Sequence, residues 1–172
     1  MDSHHDQVMK ARATAGQGTK RYFAYSTILD RAAFLEWRDQ HGYQFFELPQ
    51  GQLGEAPDLS LVYDFPSRWW GGRVAGLADA VGSRVCGVVF EIAERDWPII
   101  QHKEGAVTGM CVERPVKVKL TTGELVDAIA FTTNPARRSV DGPVSERFVE
   151  ALTRGARSAG LSEAWVDSLK GA

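Results

Sequence analysis

Glu104 is the residue in this sequence best placed for acid–base chemistry. It stands in KEGAVTGM beside Gly105, at the end of a helix predicted across Trp97 to about Lys103. A carboxylate there faces the negative end of the helix macrodipole, an unfavourable placement worth roughly 0.3–1 kcal/mol. In an apolar setting, desolvation and the dipole together raise the carboxyl pKa toward neutrality, where general acid–base transfer is efficient. The plainer alternative is a solvated glutamate beside a loop, its charge offset by Lys103. A second candidate is the end of the first predicted strand, Tyr25–Ser26–Thr27–Ile28, running into Leu29. A strand entering a capped helix exposes backbone N–H groups that can hold a carboxylate or phosphate. No glycine pair strengthens that signal, and an ordinary strand–helix turn is the simpler reading.

The remaining reactive side chains point to structure more than to chemistry. Trp69 and Trp70 read as loop-anchoring aromatics, with a substrate wall as the alternative. His41 and His102 each lie near a helix end without a paired ligand, and both read as structural or solvated. His4 and His5 form an isolated pair on a polar tail, a weak ligand set for a metal. Cys86 and Cys111 sit among apolar residues and read as small core side chains. No CxxC, HExxH, P-loop or GxSxG pattern occurs, so no metal site and no nucleophile elbow is expected.

The elements that must position Glu104 and the Tyr25–Leu29 segment follow from patterning. Residues 1–20 are polar, small and glycine-containing, and lack the apolar core of a signal peptide; they read as a flexible leader before a domain over 21–172. Arg21–Thr27 is a strand, and Asp30 caps a helix to about Gln40 that Gly42 stops. A Pro/Gly/Gln-rich loop runs through Pro57, and Leu59–Phe65 is the next strand. PSRWWGG over 66–72 is a loop before a short strand at Arg73–Leu77. Arg84–Ile92 is the strongest strand, apolar enough in its middle to be covered on both faces. Asp96 caps the helix that leads to Glu104. Val112–Leu120 and Leu125–Thr132 form a hairpin across Thr121–Thr122–Gly123. Pro143 opens a helix carrying Phe148, Val149 and Leu152, and Ser162 caps a last one.

This is an α+β pattern: a strand-rich body with helices inserted between strands and two closing it. The 172 residues carry 44 % apolar side chains, enough for a core without disulfides. A net charge of -2, from 20 basic and 22 acidic residues, lacks the clustered basic face of a nucleic-acid binder. No apolar run of about 18 residues exists, so no membrane span is expected. With no secretory signal, the expected compartment is the cytoplasm.

The order YFAYSTIL, WWGGRVAGL, VCGVVFEI, EGAVTGMCVERPVKV and RGARSAGLSEAWVDSLKG resembles the γ-glutamylcyclotransferase family over roughly Tyr22 to Lys170. EGxxxGMxV after a GVVF-type strand is the specific part. The resemblance implies a small mixed β-barrel with inserted helices and a C-terminal helix pair. It implies an enzyme of transferase or lyase type in the sphere of glutathione metabolism. That enzyme releases 5-oxoproline and a free amine from a small γ-glutamyl substrate without metal or organic cofactor. By position the catalytic glutamate is Glu104, and the substrate loop is Tyr25, Ser26, Thr27, Ile28 and Leu29. A homodimer is the candidate assembly. Three positions depart from the pattern: Ser26 replaces a glycine, Ile28 an asparagine, and Phe131 a tyrosine. These imply a different γ-glutamyl amine or peptide as substrate. The alternative is a relative that binds a small carboxylate-bearing ligand and catalyses nothing.

Overall fold

Tyr22, Phe23 and Ala24 are buried in succession, so the strand they end is covered on both faces. They form the inner end of β1 (Thr19–Ala24). The structure, a computed structural model, describes residues 3–171. Four further strands follow: β2 (Gln52–Ser67), β3 (Gly72–Ala93), β4 (Cys111–Leu120) and β5 (Leu125–Thr133). They close into a barrel in the order β1-β3-β2-β4-β5. Neighbours are antiparallel, except that β5 meets β1 in parallel, Ile129 against Tyr22. The domain is therefore α+β around a small mixed barrel. Its core runs from Tyr22 and Phe23 through Leu77, Val85 and Val118 to Leu152 of the C-terminal helices.

Two strands are longer than patterning predicts. Arg73–Leu77 and Arg84–Ile92 are halves of one 22-residue strand, β3. Likewise Leu59–Phe65 is the second half of β2, whose first half is the supposed Pro/Gly/Gln-rich loop. The break in both is one irregularity. Asp58 adopts a left-handed φ of 59°, the register slips between Pro57 and Leu59, and Asp58 Oδ1 accepts from Gly82 N at 2.9 Å. Such a bulge lets both strands turn sharply around the barrel and resume pairing, and it tolerates Pro57. Gly54 has a separate reason to be glycine: a Cβ there would stand 2.6 Å from the Val118 side chain.

The helices are α1 (Ser3–Thr14), α2 (Arg31–Gln40), α3 (Trp97–Lys103), α4 (Glu146–Ala159) and α5 (Glu163–Ser168). The first of these corrects the expectation of a flexible leader. Val8 is buried, and Arg12 Nη2 donates to Asp96 Oδ1 at 2.8 Å. The expected caps at Asp30 and Asp96 are also corrected, since neither side chain bonds its helix. Asp96 is spent on Arg12, and buried Asp30 on Arg154 at 3.0 Å. Ser145, two residues past Pro143, is the true cap of α4, accepting from Phe148 N; Ser162 caps α5 in the same way.

Candidate active site

α3 is short because its ends are set chemically. Pro98 sits in the first turn, where a missing N–H costs nothing. At the other end Gly105 takes φ 80°, a left-handed conformation that glycine adopts freely. Ala106 N donates to Gln101 O, and Gly105 N to His102 O, which is a Schellman stop. Glu104 is the helix's C-cap residue, directly after Lys103, as its sequence neighbours predict. The following turn is tied down in its turn: Met110 N donates to Gly105 O, and Asn134 Nδ2 to Gly109 O.

Glu104 lines a narrow, closely packed recess together with Tyr22, Phe23, Tyr25, Ser26 and Phe131. Glu104 Oε1 accepts a hydrogen bond from the Tyr22 hydroxyl. The Tyr25 hydroxyl donates to the carbonyl of Phe131, bracing the opposite wall. Burial raises the Glu104 pKa, opposed by the charge of Lys103 and by the Tyr22 hydrogen bond. Burial is also what lowers the Lys103 pKa, while Glu104 holds it up. The phenols of Tyr22 and Tyr25 are both raised, first by burial and then by the Glu104 charge. Cys111 stands in the same field. Burial, then Glu104 and Asp64, push its thiol up to about 12. Glu104 is thus an ionisable group held in an apolar recess with the Tyr22 hydroxyl as donor to its carboxylate.

Of the five loop residues named from sequence, Tyr25 and Ser26 line the pocket. Thr27, Ile28 and Leu29 form a 3₁₀ turn with their side chains buried. Ile28 is therefore a core residue rather than a pocket one. Ser26 has φ -118°, open to any residue, so serine in place of glycine strains nothing. The turn is held from behind by Gly155 of α4, where a Cβ would lie 2.6 Å from Asp30 N. Phe131 lines the pocket as its position implied.

Tyr22 and Phe23 are the lining residues that patterning did not single out. The two-residue strand period offers the only hint, by turning Tyr22 inward. The other candidates lie elsewhere. Trp69 is 73 % exposed, while Trp70 packs edge-on against Phe148 at 5.3 Å as an anchor. His102 is buried with Nδ1 2.7 Å from the Tyr43 hydroxyl, and His41 Nδ1 lies 2.7 Å from Trp37 O. His5 stacks on Tyr43 from α1. Cys86 and Cys111 are free thiols.

The chain belongs to the AIG2-like family, whose sequence profile matches residues 84–169, half of its length. That span holds the second half of β3, α3 with Glu104, the β4–β5 hairpin and both C-terminal helices. Among solved structures the chain is similar to a γ-glutamyl cyclotransferase at 21 % identity and TM-score 0.72, covering 88 % of this chain and 86 % of that one. An uncharacterised human protein matches at 22 % identity and TM-score 0.71, over 89 % and 87 % of the two chains. A yeast γ-glutamyl cyclotransferase specific to glutathione shares 9 % identity at TM-score 0.59, over 88 % and 94 %. The fold is the one these proteins share. No curated protein matches the sequence. Among the described residues no helix is long and apolar enough to cross a membrane.

Proposed function

We propose that the protein cyclises a γ-glutamyl amine, amino acid or peptide to 5-oxoproline, with Glu104 as the general acid–base group. The observation that carries this reading is the Glu104 carboxyl, part-buried at a helix terminus and facing the pocket that Tyr25 and Ser26 border. In the proposed reaction the carboxylate takes a proton from the substrate's α-ammonium. The freed amine attacks the γ-carbonyl, a C–N bond closes the five-membered lactam, and the γ-amide C–N bond breaks. Glu104 returns that proton to the departing nitrogen as its bond breaks, and the second proton shed by the attacking nitrogen passes to the released amine, which leaves as an ammonium. Tethered attack supplies the proximity, so one positioned carboxyl suffices and no cofactor enters the scheme. Tyr25, Ser26, Thr27, Ile28 and Leu29 are proposed as the substrate loop, with backbone amides other than that of Leu29, which donates to Ser26 O within the turn, holding the α-carboxylate.

A panel of γ-glutamyl amino acids, peptides and amines, with 5-oxoproline release as the readout, tests the reading. Glu104→Gln should lower turnover roughly 10²–10⁴-fold with the fold unchanged, the usual contribution of such a group. Full activity in that variant contradicts the mechanism. Saturable binding without turnover across the panel would instead make the protein a ligand-binding relative.

A further inference from the structure

The Glu104 carboxylate has two oxygens, and the fold engages one of them. Tyr22, 1 % exposed on β1, gives its hydroxyl proton to Oε1. Its ring is held on three sides: stacked with Phe90 at 6.3 Å and met edge-on by Trp97 at 6.1 Å and Phe131 at 6.0 Å. Trp97 is tied in turn by its indole N–H, which donates to Glu113 Oε1 at 2.6 Å. The hydroxyls of Tyr25 and Tyr63 go to backbone carbonyls, where they brace structure. Tyr22 instead gives its proton to a carboxylate.

We propose that Tyr22 is the positioning residue of Glu104, fixing Oε1 through its clamped hydroxyl and leaving Oε2 to exchange the proton with the ligand. The inference rests on the acid–base role proposed for Glu104. A fixed donor holds the carboxyl in one orientation, so the free oxygen meets the substrate amine without a search. It also favours the ionised form, countering the burial that would otherwise leave the carboxyl protonated and unable to act as a base.

Tyr22→Phe removes one oxygen atom and keeps the ring. Two readouts are needed. The first is the ionisation of Glu104 in the substrate-free protein, followed by infrared spectroscopy of ¹³C-glutamate-labelled protein and assigned by its loss in Glu104→Gln. The second is the pH profile of kcat/KM. In Tyr22→Phe both the titration and the acid limb should move upward by about one to two pH units, the size of a hydrogen bond to a charged group. kcat should fall more than KM changes, and circular dichroism should match wild type. A folded Tyr22→Phe whose Glu104 titrates as in wild type overturns the proposal. If that variant does not fold, NMR of wild type decides. The Tyr22 hydroxyl proton should shift as Glu104 titrates and leave its position in Glu104→Gln, and a proton indifferent to both overturns the role. A wild-type protein that turns over no γ-glutamyl compound defeats the cyclotransferase reading alone, because the titration still reports on Tyr22.

Discussion

Burial raises the Glu104 pKa, while Lys103 and Tyr22 pull it back. A group whose folded pKa lies above its unfolded value stabilises the fold fully below the unfolded pKa and loses that contribution as pH rises through the folded one. Ionised Glu104 therefore weighs against folding at neutral and alkaline pH. Glu104→Gln should melt at or above the wild-type temperature at pH 8, with the difference closing toward pH 4; thermal unfolding across that range reads it. In the proposed role as base Glu104 must be ionised, so activity should fall on acidification at a higher pH than an ordinary carboxylate would set. Its neighbour Cys111 makes a separate test of the same apolar field. A thiol pushed up to about 12 carries almost no thiolate at pH 8. Cys86 is raised as well, chiefly by burial. Alkylation at pH 8 should be slow for both thiols in the native protein and rapid in denaturant. Fast labelling of native Cys111 would mean that the recess is wet.

The loop and the helix behind it depend on one missing side chain. Gly155 lets α4 approach the 3₁₀ turn so closely that a Cβ would stand 2.6 Å from Asp30 N and 2.8 Å from Leu29 C. Backbone cannot move aside as a side-chain tip can. Gly155→Ala should cost about 1–3 kcal/mol, the range of overpacking, and lower Tm by roughly 2–12 °C. It should also raise KM in the 5-oxoproline assay, because the proposed substrate loop shifts; unchanged KM and Tm would place the tight contact elsewhere. At this scale the sequence was uneven to read. Glu104 beside Gly105, the Thr121–Gly123 hairpin turn and the Ser162 cap are local features, and local propensity decides them. The length of β2 and β3 was hidden, because Asp58 and Gly82 break the pattern while preserving the pairing. Tyr22 and Glu104 are 82 residues apart, and no periodicity links a strand residue to a helix terminus across that distance.

The barrel, α3 and α1 make one connected body, and α1 is the part that patterning least foretells. Its twelve residues bury one side chain fully, Val8, with Met9 partly covered, so no apolar stripe announces a helix. Tertiary contacts supply what propensity lacks. α1 packs on α3 and on the turn before it. His5 stacks on Tyr43 at 5.2 Å, His4 meets the ring of His102 edge-on at 5.8 Å, and the Arg12 guanidinium lies 4.4 Å over Phe45. A helix held this way should detach without unfolding the barrel, since local opening follows the elements with the fewest buried contacts. Val8→Asp places a charge on a side chain that is buried against α3, where water does not reach it. Proteolysis between Thr14 and Thr19 should then accelerate severalfold. Hydrogen exchange in β1, β3 and β5 should stay slow, and Tm should drop only a few degrees. Because α1 covers the helix that ends in Glu104, loosening it should reach the site through α3 and lower kcat while leaving KM near wild type. A variant that loses barrel protection together with α1 would show instead that the helix and the barrel fold as a single cooperative unit.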